Sequence, residues 1–529
     1  MEKKKYFYVT TPIYYASGNI HIGHTYCTVV ADSLARYKRM MGYNVRFMTG
    51  SDEHGEKIQK RAEEAGLDPQ TYVDNIAESF KQVWKAMDIS YDYYVRTTDD
   101  YHVACIQKVF TKLLEQGDIY LGKYEGWYCT PCESFFTDSQ VGEDHLCPDC
   151  QRPVHRETEE AYFLNCKKFE QQLLELYKNN PNFCKQDKIN EMINTFIKPG
   201  LDDLCITRTS FDWGIHTNEN PKHVVYVWID ALLNYVSALG YLSDDDSLMD
   251  EYWGEDTEIV QLVGRDITRF HTIYWPMLLF ALGLRTPDTV LVHGLLLTKS
   301  GVKLSKSLGN APSPYPLIER YGVDSLRYYL VREVQVGEDG SFTPTQFVDR
   351  LNADLANNYG NLVNRTLSMI NKYFDGVVPQ YHKPVSEITE KLYAGIEAKE
   401  KEYFEAMDAY DITKGAAAAM EMLDLGNKYF DEIAPWSQAK QGNAVLLEES
   451  LYAAAELVRK GSILLNPFMP TKTSEALDQL NAPQELRTVD SLYANDQISS
   501  IKIGTLSPLF PRLKKDEEIR FLTELIDGK

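Results

Sequence analysis

The sequence predicts an α/β fold built on a parallel sheet, with an inserted segment that carries paired cysteines and an all-helical bundle after it. The first observation is a strand-like, a helical and a second strand-like segment in succession within residues 5–55. The second is a set of four cysteines in two close pairs between residues 129 and 150. The third is the change beyond about residue 349, where Ala, Leu, Asn and Glu dominate and apolar residues recur at helical spacing.

The N-terminal segments predict a βαβ unit. KYFYVTTPIYY is rich in aromatic and β-branched residues, which favour a strand. Residues 25–41 carry Val29, Val30 and Leu34 at helical spacing, and Gly42 follows as a helix-ending residue. NVRFMTGSDEHG then predicts a second strand that ends in a polar turn. Strand, helix and strand in this order predict two parallel strands.

The middle of the chain alternates between helical and sheet-like patterns. Helical periods continue to about Gly117, and the cysteine-paired segment follows with the character of an insertion. Sheet-like sequence returns in HVVYVWIDALLNYVSAL and in TEIVQLVGRDITRFHTIYW. TVLVHGLLLTKSGVKLSKSLGNAPSP has the alternation of a hairpin followed by a loop rich in Gly, Pro and Ser. In the last third, Leu451, Ala454 and Val458 share one helical face, as expected of a bundle.

Length, charge and targeting signals limit the possible classes of protein. The chain has 529 residues, enough for roughly three or four domains. It has 55 Lys and Arg against 77 Asp and Glu, a net charge of −22. Because cations must meet the phosphates of a nucleic acid, this charge argues against a nucleic-acid partner. The argument is weak, since local patches and not the net charge do the binding. No stretch reaches the roughly 18 apolar residues of a membrane span, and the start lacks a signal peptide. We therefore expect no membrane association and a cytoplasmic location.

The stretch YASGNIHIGHTYC places two imidazoles, His21 and His24, near the first turn of the predicted helix. A helix N-terminus offers unpaired N–H groups and partial positive charge, so it binds phosphate readily. Two imidazole donors there can stabilise charge on a phosphoryl group, and the small Gly18 and Gly23 allow a nucleotide to approach the backbone. The spacing alone equally fits two histidines that cap a loop. A metal site is disfavoured because no third ligand is near.

The stretch KSGVKLSKSLGN alternates Lys299, Lys303 and Lys306 with serines and glycines. Such a cationic loop can close on a polyphosphate, with lysine as a point charge and serine as a donor. A solvated surface loop is the simpler alternative, and the motif by itself does not decide between them.

Cys129, Cys132, Cys147 and Cys150 have the spacing C-x2-C-x14-C-x2-C, which is typical of tetrahedral zinc. Two disulfides or a repeated redox motif are the alternatives, and a cytoplasmic setting disfavours disulfides. His145 could substitute as a ligand, as could His155, but four cysteines complete the shell. We therefore expect one structural Zn²⁺.

Taken together, the motifs resemble those of a known family. TPIYYASGNIHIGH, TGSDEHG, YVWIDALLNY, GRDITRFHTIYWP, VHGLLLTKSGVKLSKS and NLVNR follow one another in the order found in methionyl-tRNA synthetases, which are class I aminoacyl-tRNA synthetases. The resemblance extends from Tyr6 to about Pro470. One departure is Leu304, where the family commonly has methionine, and this apolar exchange changes no charge.

The resemblance implies a Rossmann-type catalytic domain that activates L-methionine with ATP, helped by Mg²⁺, and transfers it to methionine tRNA. It implies phosphate contacts from the catalytic set His21, His24, Lys303 and Lys306. It implies an ATP site formed by Gly23, Gly264, Asp266, His293 and Lys306. It implies a methionine site formed by Ile13, Tyr15, Asp52, Trp228, Ala231, Tyr235, Ile267, His271 and Trp275. Without the resemblance, core packing would explain each aromatic residue, and a turn would explain Asp52.

The helical bundle is expected to read the tRNA anticodon. Asn361, Arg365 and Trp436 match the family's anticodon-reading positions, where an amide and a guanidinium can bond base edges and an indole can stack. Asn361 and Arg365 are four residues apart and share a helical face. A polar stripe on the bundle surface is the alternative.

The same reasoning predicts domain boundaries and a monomer. Residues 1–118 and 225–298 are expected to form the two halves of the catalytic domain, with the connective insertion at 119–224. Residues 299–349 are expected to carry the lysine loop and contact the tRNA stem, and residues 350–529 to bind the anticodon. Many family members have a further dimerising β-barrel, for which the chain has no room before Lys529, so a monomer is expected.

Three rival functions would account for part of the sequence. A small nucleotidyltransferase shares the histidine and lysine motifs but needs neither the bundle nor the zinc insertion. A synthetase for leucine, isoleucine or valine would need a large editing insertion, for which the sequence has no place. A non-catalytic tRNA-binding paralogue would not be expected to retain His21, His24, Asp52 and Lys306.

Overall fold

The computed structural model describes residues 6–132, 134–136, 141, 143–148, 150–297, 301, 311–493 and 497–526. The strands are β1 Tyr6–Tyr15, β2 Asn44–Asp52, β3 Tyr93–Arg96, β4 Ile119–Cys129, β5 Ser134–Phe136, β6 His155–Leu164, β7 Leu204–Cys205, β8 Thr207–Arg208, β9 Val224–Val225, β10 Thr257–Gly264, β11 Thr289–His293, β12 Leu296–Leu297 and β13 Gly340–Ser341.

Helices fill much of the remaining chain. The α-helices are α1 Ile22–Met40, α2 Glu56–Ala65, α3 Pro69–Ala86, α4 Asp100–Glu115, α5 Glu170–Asn179, α6 Gln186–Met192, α7 Val227–Ser237, α8 Ser247–Tyr252, α9 Trp275–Leu282, α10 Pro314–Tyr321, α11 Val323–Glu333, α12 Pro344–Arg350, α13 Asn361–Phe374, α14 Glu387–Asp408, α15 Ile412–Ile433, α16 Pro435–Gln441, α17 Ala444–Leu465, α18 Pro470–Gln479 and α19 Lys515–Ile526. The π-helical turns are Ile193–Ile197, Phe270–Tyr274 and Leu351–Gly360, and the 3-10 turns are Cys166–Phe169, Arg265–Ile267, Gln484–Leu486 and Asp490–Tyr493.

The chain divides into two compact units. The first unit comprises residues 1–20, 43–85 and 90–293, and the second comprises residues 21–42, 86–89 and 294–529. The five-part division expected from the sequence stays a prediction.

A five-stranded parallel sheet organises the first unit, with the order β11-β10-β1-β2-β3. Along the chain, β1, β2 and β3 extend the sheet in one direction, and β10 and β11 extend it in the other. The direction therefore reverses between β1 and β10, and parallel α/β sheets bind ligands at the carboxyl ends of such strands. The predicted parallel sheet of the Rossmann type is confirmed.

The insertion in the first unit is a separate antiparallel sheet with the order β5-β4-β6-β7. β4 and β6 form a long ladder from Ile119 opposite Leu164 to Tyr128 opposite His155. A small apolar cluster that includes Phe136, Val141 and Val154 lies at its far end, together with the four paired cysteines.

Helix α1 belongs to the second unit because its buried face contacts that unit's helices. Tyr26 Oη donates to Val334 O at 3.2 Å, and the fully buried Arg327 and Asp32 form an ion pair at 2.6 Å. The unit also contains the short β12–β13 pair and, beyond residue 350, the predicted bundle, in which α14, α15 and α17 are long helices of 22 residues each. The predicted all-α C-terminal region is confirmed.

Some sequence-based assignments were wrong. Most of HVVYVWIDALLNYVSAL is helix α7, because a continuous apolar run fits a fully buried helix as well as a strand. In TEIVQLVGRDITRFHTIYW only the first eight residues form a strand, and the rest is helical. The predicted hairpin is also wrong over the described residues, since β11 pairs with β10 and β12 pairs with β13, both in parallel. The short strand β3 was missed.

Among the described residues, no helix combines the length and apolar character needed to span a bilayer.

Candidate active site

The carboxyl edge of the sheet brings together three of the predicted ATP-site residues. Gly264 ends β10 and lies in register with His293, which ends β11. A β-carbon on Gly264 would lie 2.8 Å from Asp266 Oδ1 and 3.6 Å from His293 Nε2, so glycine allows both side chains to approach the strand end. Asp266 is exposed and His293 is 8 % exposed. This edge therefore presents a carboxylate and an imidazole side by side.

A buried tyrosine–histidine pair lies among the predicted methionine-site residues. Tyr235 Oη and His271 Nε2 are 2.7 Å apart, and His271 Nδ1 is 3.0 Å from Ile267 O. Burial lowers the pKa of His271 to about 4, against the opposing effect of the bond to Ile267, so the ring is neutral at pH 7. A neutral ring that donates from Nδ1 must accept at Nε2, so Tyr235 donates its hydroxyl proton to it.

Aromatic and aliphatic side chains surround this pair. The Tyr235 and Trp275 rings have centroids 5.7 Å apart, and Trp275 is fully buried. Trp228 stacks on Phe270 with centroids 3.7 Å apart and planes 6° from parallel. Ala231, one turn before Tyr235 on α7, is 7 % exposed. Six of the predicted methionine-site residues thus lie on two helical segments that contact each other. Helix α7 carries Trp228, Ala231 and Tyr235, and the helical segment 265–282 carries Ile267, His271 and Trp275.

The remaining predicted methionine-site residues lie at the ends of β1 and β2. Ile13 is in register with Gly50, and Tyr15 with Asp52. A β-carbon on Gly50 would overlap the carbonyl oxygen of Val95 and would lie 3.0 Å from Ile13 Cγ2, so only glycine fits between these strands. Asp52 is 9 % exposed and its backbone carbonyl accepts from Ala16 N at 2.8 Å.

The turn after Asp52 is anchored by buried Glu53. Its carboxylate accepts two bonds from Arg96, each 2.8 Å long, and a bond from Thr98 Oγ1 at 2.6 Å. Its carbonyl accepts from Trp213 Nε1 at 2.6 Å, and its N–H donates to Thr97 Oγ1 at 3.0 Å. The segment SDEHG is therefore a fixed strand end and not merely a polar turn.

Sequence reasoning missed a buried carboxylate between two histidines. Asp230 Oδ2 lies 2.7 Å from His54 Nδ1, and its Oδ1 lies 2.7 Å from His102 Nε2. Burial opposes ionisation of Asp230, but the two histidines hold its pKa below the usual range. A charged residue inside the apolar run YVWIDALLNYV was the signal that could have predicted partners, because buried charges are paired.

The predicted histidine pair forms a reciprocal cap on α1 in the second unit. His21 is the N-cap residue, and its Nδ1 accepts from Gly23 N at 3.1 Å, while His24 Nδ1 accepts from His21 N at 3.3 Å. The two rings stack with centroids 3.9 Å apart. Because each Nδ1 accepts a backbone proton, each neutral ring carries its own proton on Nε2. The two histidines can therefore cap the helix through Nδ1 and donate from Nε2 at the same time.

Lys299, Lys303 and Lys306 lie outside the described residues.

The four paired cysteines in the insertion form one cluster. All four Sγ atoms lie within 4.8 Å of one another, with Cys129 and Cys150 at 3.6 Å and Cys132 and Cys147 at 3.8 Å. Sulfur atoms bound tetrahedrally to zinc at about 2.3 Å lie about 3.8 Å apart, so the donor set fits that ion. None of the nine cysteines is in a disulfide, so the disulfide alternative is wrong.

The predicted anticodon residues lie together in the bundle. The guanidinium of Arg365 is 5.7 Å from the centroid of the Trp436 ring and 3.1 Å from Asp431 Oδ1. Asn361, one turn earlier on α13, donates from Nδ2 to Asn427 Oδ1 at 3.0 Å. Trp436 is 44 % exposed, which suits stacking on an unpaired base.

Comparison with known proteins gives consistent matches. The family described as "tRNA synthetases class I (M)" matches residues 7–159 and 151–367, and the "Anticodon binding domain of methionyl tRNA ligase" matches residues 378–516. The chain is 49 % identical to the methionine–tRNA ligase of Bacillus subtilis, over 99 % of this chain and 80 % of that protein. It is 48 % identical to the ligase of Clostridium tetani, over 99 % and 81 %.

Solved structures agree with the sequence matches. Mycobacterium tuberculosis methionyl-tRNA synthetase bound by methionyl-adenylate is 36 % identical, with a TM-score of 0.90 over 96 % of this chain and 100 % of that one. The free form of that enzyme gives a TM-score of 0.84 at 33 % identity, over 97 % of this chain and 99 % of that one.

Proposed function

The chain belongs to the methionyl-tRNA synthetases of class I, and from that premise we propose that it is a methionine–tRNA ligase. In the first step, the carboxylate of L-methionine attacks the α-phosphate of ATP, forming methionyl-adenylate and releasing pyrophosphate. In the second, the 3'-terminal ribose hydroxyl of methionine tRNA attacks the adenylate carbonyl and releases AMP. The observation that carries the proposal is the coexistence of the His21–His24 cap and the neutral Tyr235–His271 pair in a chain of this family.

The first unit supplies the methionine and adenosine contacts in this proposal. Neutral His271 fixes the Tyr235 hydroxyl, and Trp228, Ala231, Trp275, Ile267 and Ile13 provide apolar walls for a thioether. Asp52 offers a carboxylate to the substrate ammonium group, beside Tyr15 on the neighbouring strand. Apolar contacts give only about 1–3 kcal/mol per methylene, so discrimination against leucine rests on the shape of these walls. Gly264, Asp266 and His293 receive the adenosine, with the Asp266 carboxylate accepting from ribose hydroxyls.

The phosphate contacts are assigned to the histidines and lysines of the two sequence motifs. The Nε2–H groups of His21 and His24 donate to phosphate oxygens as negative charge develops, with Gly23 allowing the close approach, and Lys303 and Lys306 add positive charge. Mg²⁺ that accompanies ATP would neutralise further phosphate charge. None of these side chains needs to accept a proton, because phosphoryl chemistry depends chiefly on positioning and charge neutralisation.

The four cysteines would hold one structural Zn²⁺, since the cluster has four sulfur ligands and no open position. Asn361, Arg365 and Trp436 would read the anticodon, and their clustering on α13 and the start of α16 supports this role. The family's place in translation favours a cytoplasmic location. The monomeric state stays a prediction, for which light scattering is the direct measurement.

Methionine-dependent exchange of pyrophosphate into ATP tests the proposal. We expect exchange with methionine and none with the other nineteen standard amino acids, followed by charging of methionine tRNA. Exchange that needs another amino acid would assign a different synthetase. Tight tRNA binding without exchange would favour the non-catalytic paralogue, because it would separate the anticodon domain from the chemistry.

A further inference from the structure

We propose that Asp230, held between His54 and His102, is a positioning residue that fixes helix α7 against the end of β2. The inference rests on the proposed function, because the methionine contacts that it positions are themselves proposed. Asp230 lies between Trp228 and Ala231 on α7, and His54 lies two residues after Asp52. One carboxylate therefore joins the two segments that would contact methionine.

The geometry of this connection is complete within the first unit. His54 and His102 each approach a different oxygen of Asp230 at 2.7 Å, and an ionised carboxylate only accepts, so both rings donate. His102 Nδ1 lies 2.7 Å from Ser237 Oγ, and Ser237 follows Asp230 by two turns of α7. All three charged or titratable side chains are buried, with Asp230 and His102 fully so and His54 6 % exposed. Helix α4, the β2 turn and α7 thus share one polar network.

The role is positioning because the β2 turn has its own anchors. Glu53 holds that turn through hydrogen bonds with Arg96, Trp213 and Thr97, none of which bonds to Asp230. The Trp213 ring also packs edge-on against the His54 ring, with centroids 5.5 Å apart, and the His54→Asn control keeps a planar side chain at that contact. Loss of the His54–Asp230 bond would therefore leave the turn fixed but would free α7 to shift relative to it. A shift of this kind changes the fit of methionine. It does not change the contacts at the ends of β10 and β11, where the adenosine is proposed to bind.

Matched amide substitutions test this arrangement. An asparagine amide can replace the donor at Nδ1 of a histidine, and a glutamine amide the donor at Nε2. His54 uses Nδ1 toward Asp230, so His54→Asn preserves the bond and His54→Gln removes it. His102 uses Nε2, so His102→Gln preserves the bond and His102→Asn removes it while keeping a partner for Ser237.

We expect His54→Gln, His102→Asn and Asp230→Asn each to raise the KM for methionine at least tenfold in pyrophosphate exchange, with the KM for ATP within twofold of wild type. His54→Asn and His102→Gln should stay within threefold for both substrates. Equal effects of the two amides at a position, or parallel rises in both KM values, would overturn the inference. If Asp230→Asn does not fold, the His54 pair decides alone. Failure of the proposed function is distinguishable, because wild type itself would then show no methionine-dependent exchange.

Discussion

The imidazole of His21 occupies the space that a side chain on Gly23 would need. A β-carbon built on Gly23 would lie 2.9 Å from His21 Cε1 and 3.1 Å from His21 Nδ1. The same Nδ1 accepts the Gly23 N–H, so the glycine both supplies the proton for the cap and leaves room for the ring that accepts it. The glycine between the two histidines therefore has a local steric reason, independent of any nucleotide.

Gly23→Ala should lower the rate of methionine-dependent pyrophosphate exchange about 10²-fold or more, because the added methyl displaces the His21 ring and its Nε2 donor. Helix α1 should persist, since alanine favours helix over glycine. Gly395→Ala is the matched control, with its β-carbon also 2.9 Å from a side-chain atom, Leu425 Cδ1, in another helix of the same unit. Equal rates for the two variants would show that the orientation of the His21 ring does not matter.

The cysteine cluster predicts one zinc per chain. Cys147→Ser should reduce the bound zinc measured by elemental analysis from about one equivalent to well below half, since a neutral hydroxyl replaces a thiolate ligand. Cys205→Ser is the control, because Cys205 is equally buried in the same insertion but lies outside the cluster. Retention of a full equivalent by the Cys147 variant would contradict a four-cysteine site.

The anticodon assignment predicts a separation between the two half-reactions. Trp436→Ala should lower kcat/KM for tRNA by roughly 5- to 150-fold, the equivalent of about 1–3 kcal/mol for one stacked base, and leave pyrophosphate exchange unchanged. Arg365→Gln should act in the same direction, since Arg365 lies over the Trp436 ring. Tyr493→Ala, at a tyrosine that is 70 % exposed in the same unit, is expected to change neither reaction. A loss of exchange in the Trp436 variant would point to a folding defect.

Local sequence patterns predicted some features of the molecule, and long-range contacts decided others. The N-terminal strand–helix–strand unit, the cap histidines and the cysteine pairs are encoded within a few residues of one another, so spacing was sufficient. The sequence of helix α7 predicted a strand because the helix is buried on nearly all sides. It therefore lacks the polar face whose 3.6-residue period distinguishes a helix from a strand. The partners of Asp230 lie 176 and 128 residues away in the chain, where no local pattern could identify them. The presence of Asp230 within an apolar run nevertheless indicated that it must have partners, because buried charges are paired.

The depressed pKa of His271 predicts a stability change at acid pH. Its value of about 4 in the folded protein, set mainly by burial, lies below the roughly 6.5 of an exposed histidine, so the unfolded chain binds the proton first. Stability should therefore fall as pH decreases from about 6.5 toward 4, by on the order of 2 kcal/mol at pH 5 from this group. Thermal unfolding of His271→Gln should show a smaller loss between pH 7 and pH 5 than wild type. His155→Gln, at a half-exposed histidine of the same unit, is the matched substitution, and an equal effect of the two variants would contradict the assignment to His271.

The buried ion pair between Asp32 and Arg327 should be the strongest single tie between α1 and the helices of its unit. Both side chains are fully buried, their atoms approach to 2.6 Å, and Arg327 also donates to the carbonyls of Pro467 and Met87. Arg327→Met would leave the Asp32 carboxylate with Arg36 as its remaining ionic partner. Removing one member of a buried pair costs about 3–5 kcal/mol when the other charge is left unpaired, so with Arg36 retained we expect a loss of unfolding free energy near the lower end of that range.

A double-mutant cycle isolates this interaction from the other contacts of Arg327. Combining Asp32→Asn with Arg327→Met should destabilise the chain by less than the sum of the single changes, with a coupling energy of about 0.5–3 kcal/mol from denaturant unfolding. The exposed pair Asp424–Lys428, at 2.7 Å within helix α15, provides the comparison and should couple by about 0.3–0.5 kcal/mol. The difference follows from burial, because water screens the exposed pair and cannot reach the other. Strict additivity at Asp32 and Arg327 would mean that the carbonyl contacts of Arg327, and not its charge, hold α1 in place.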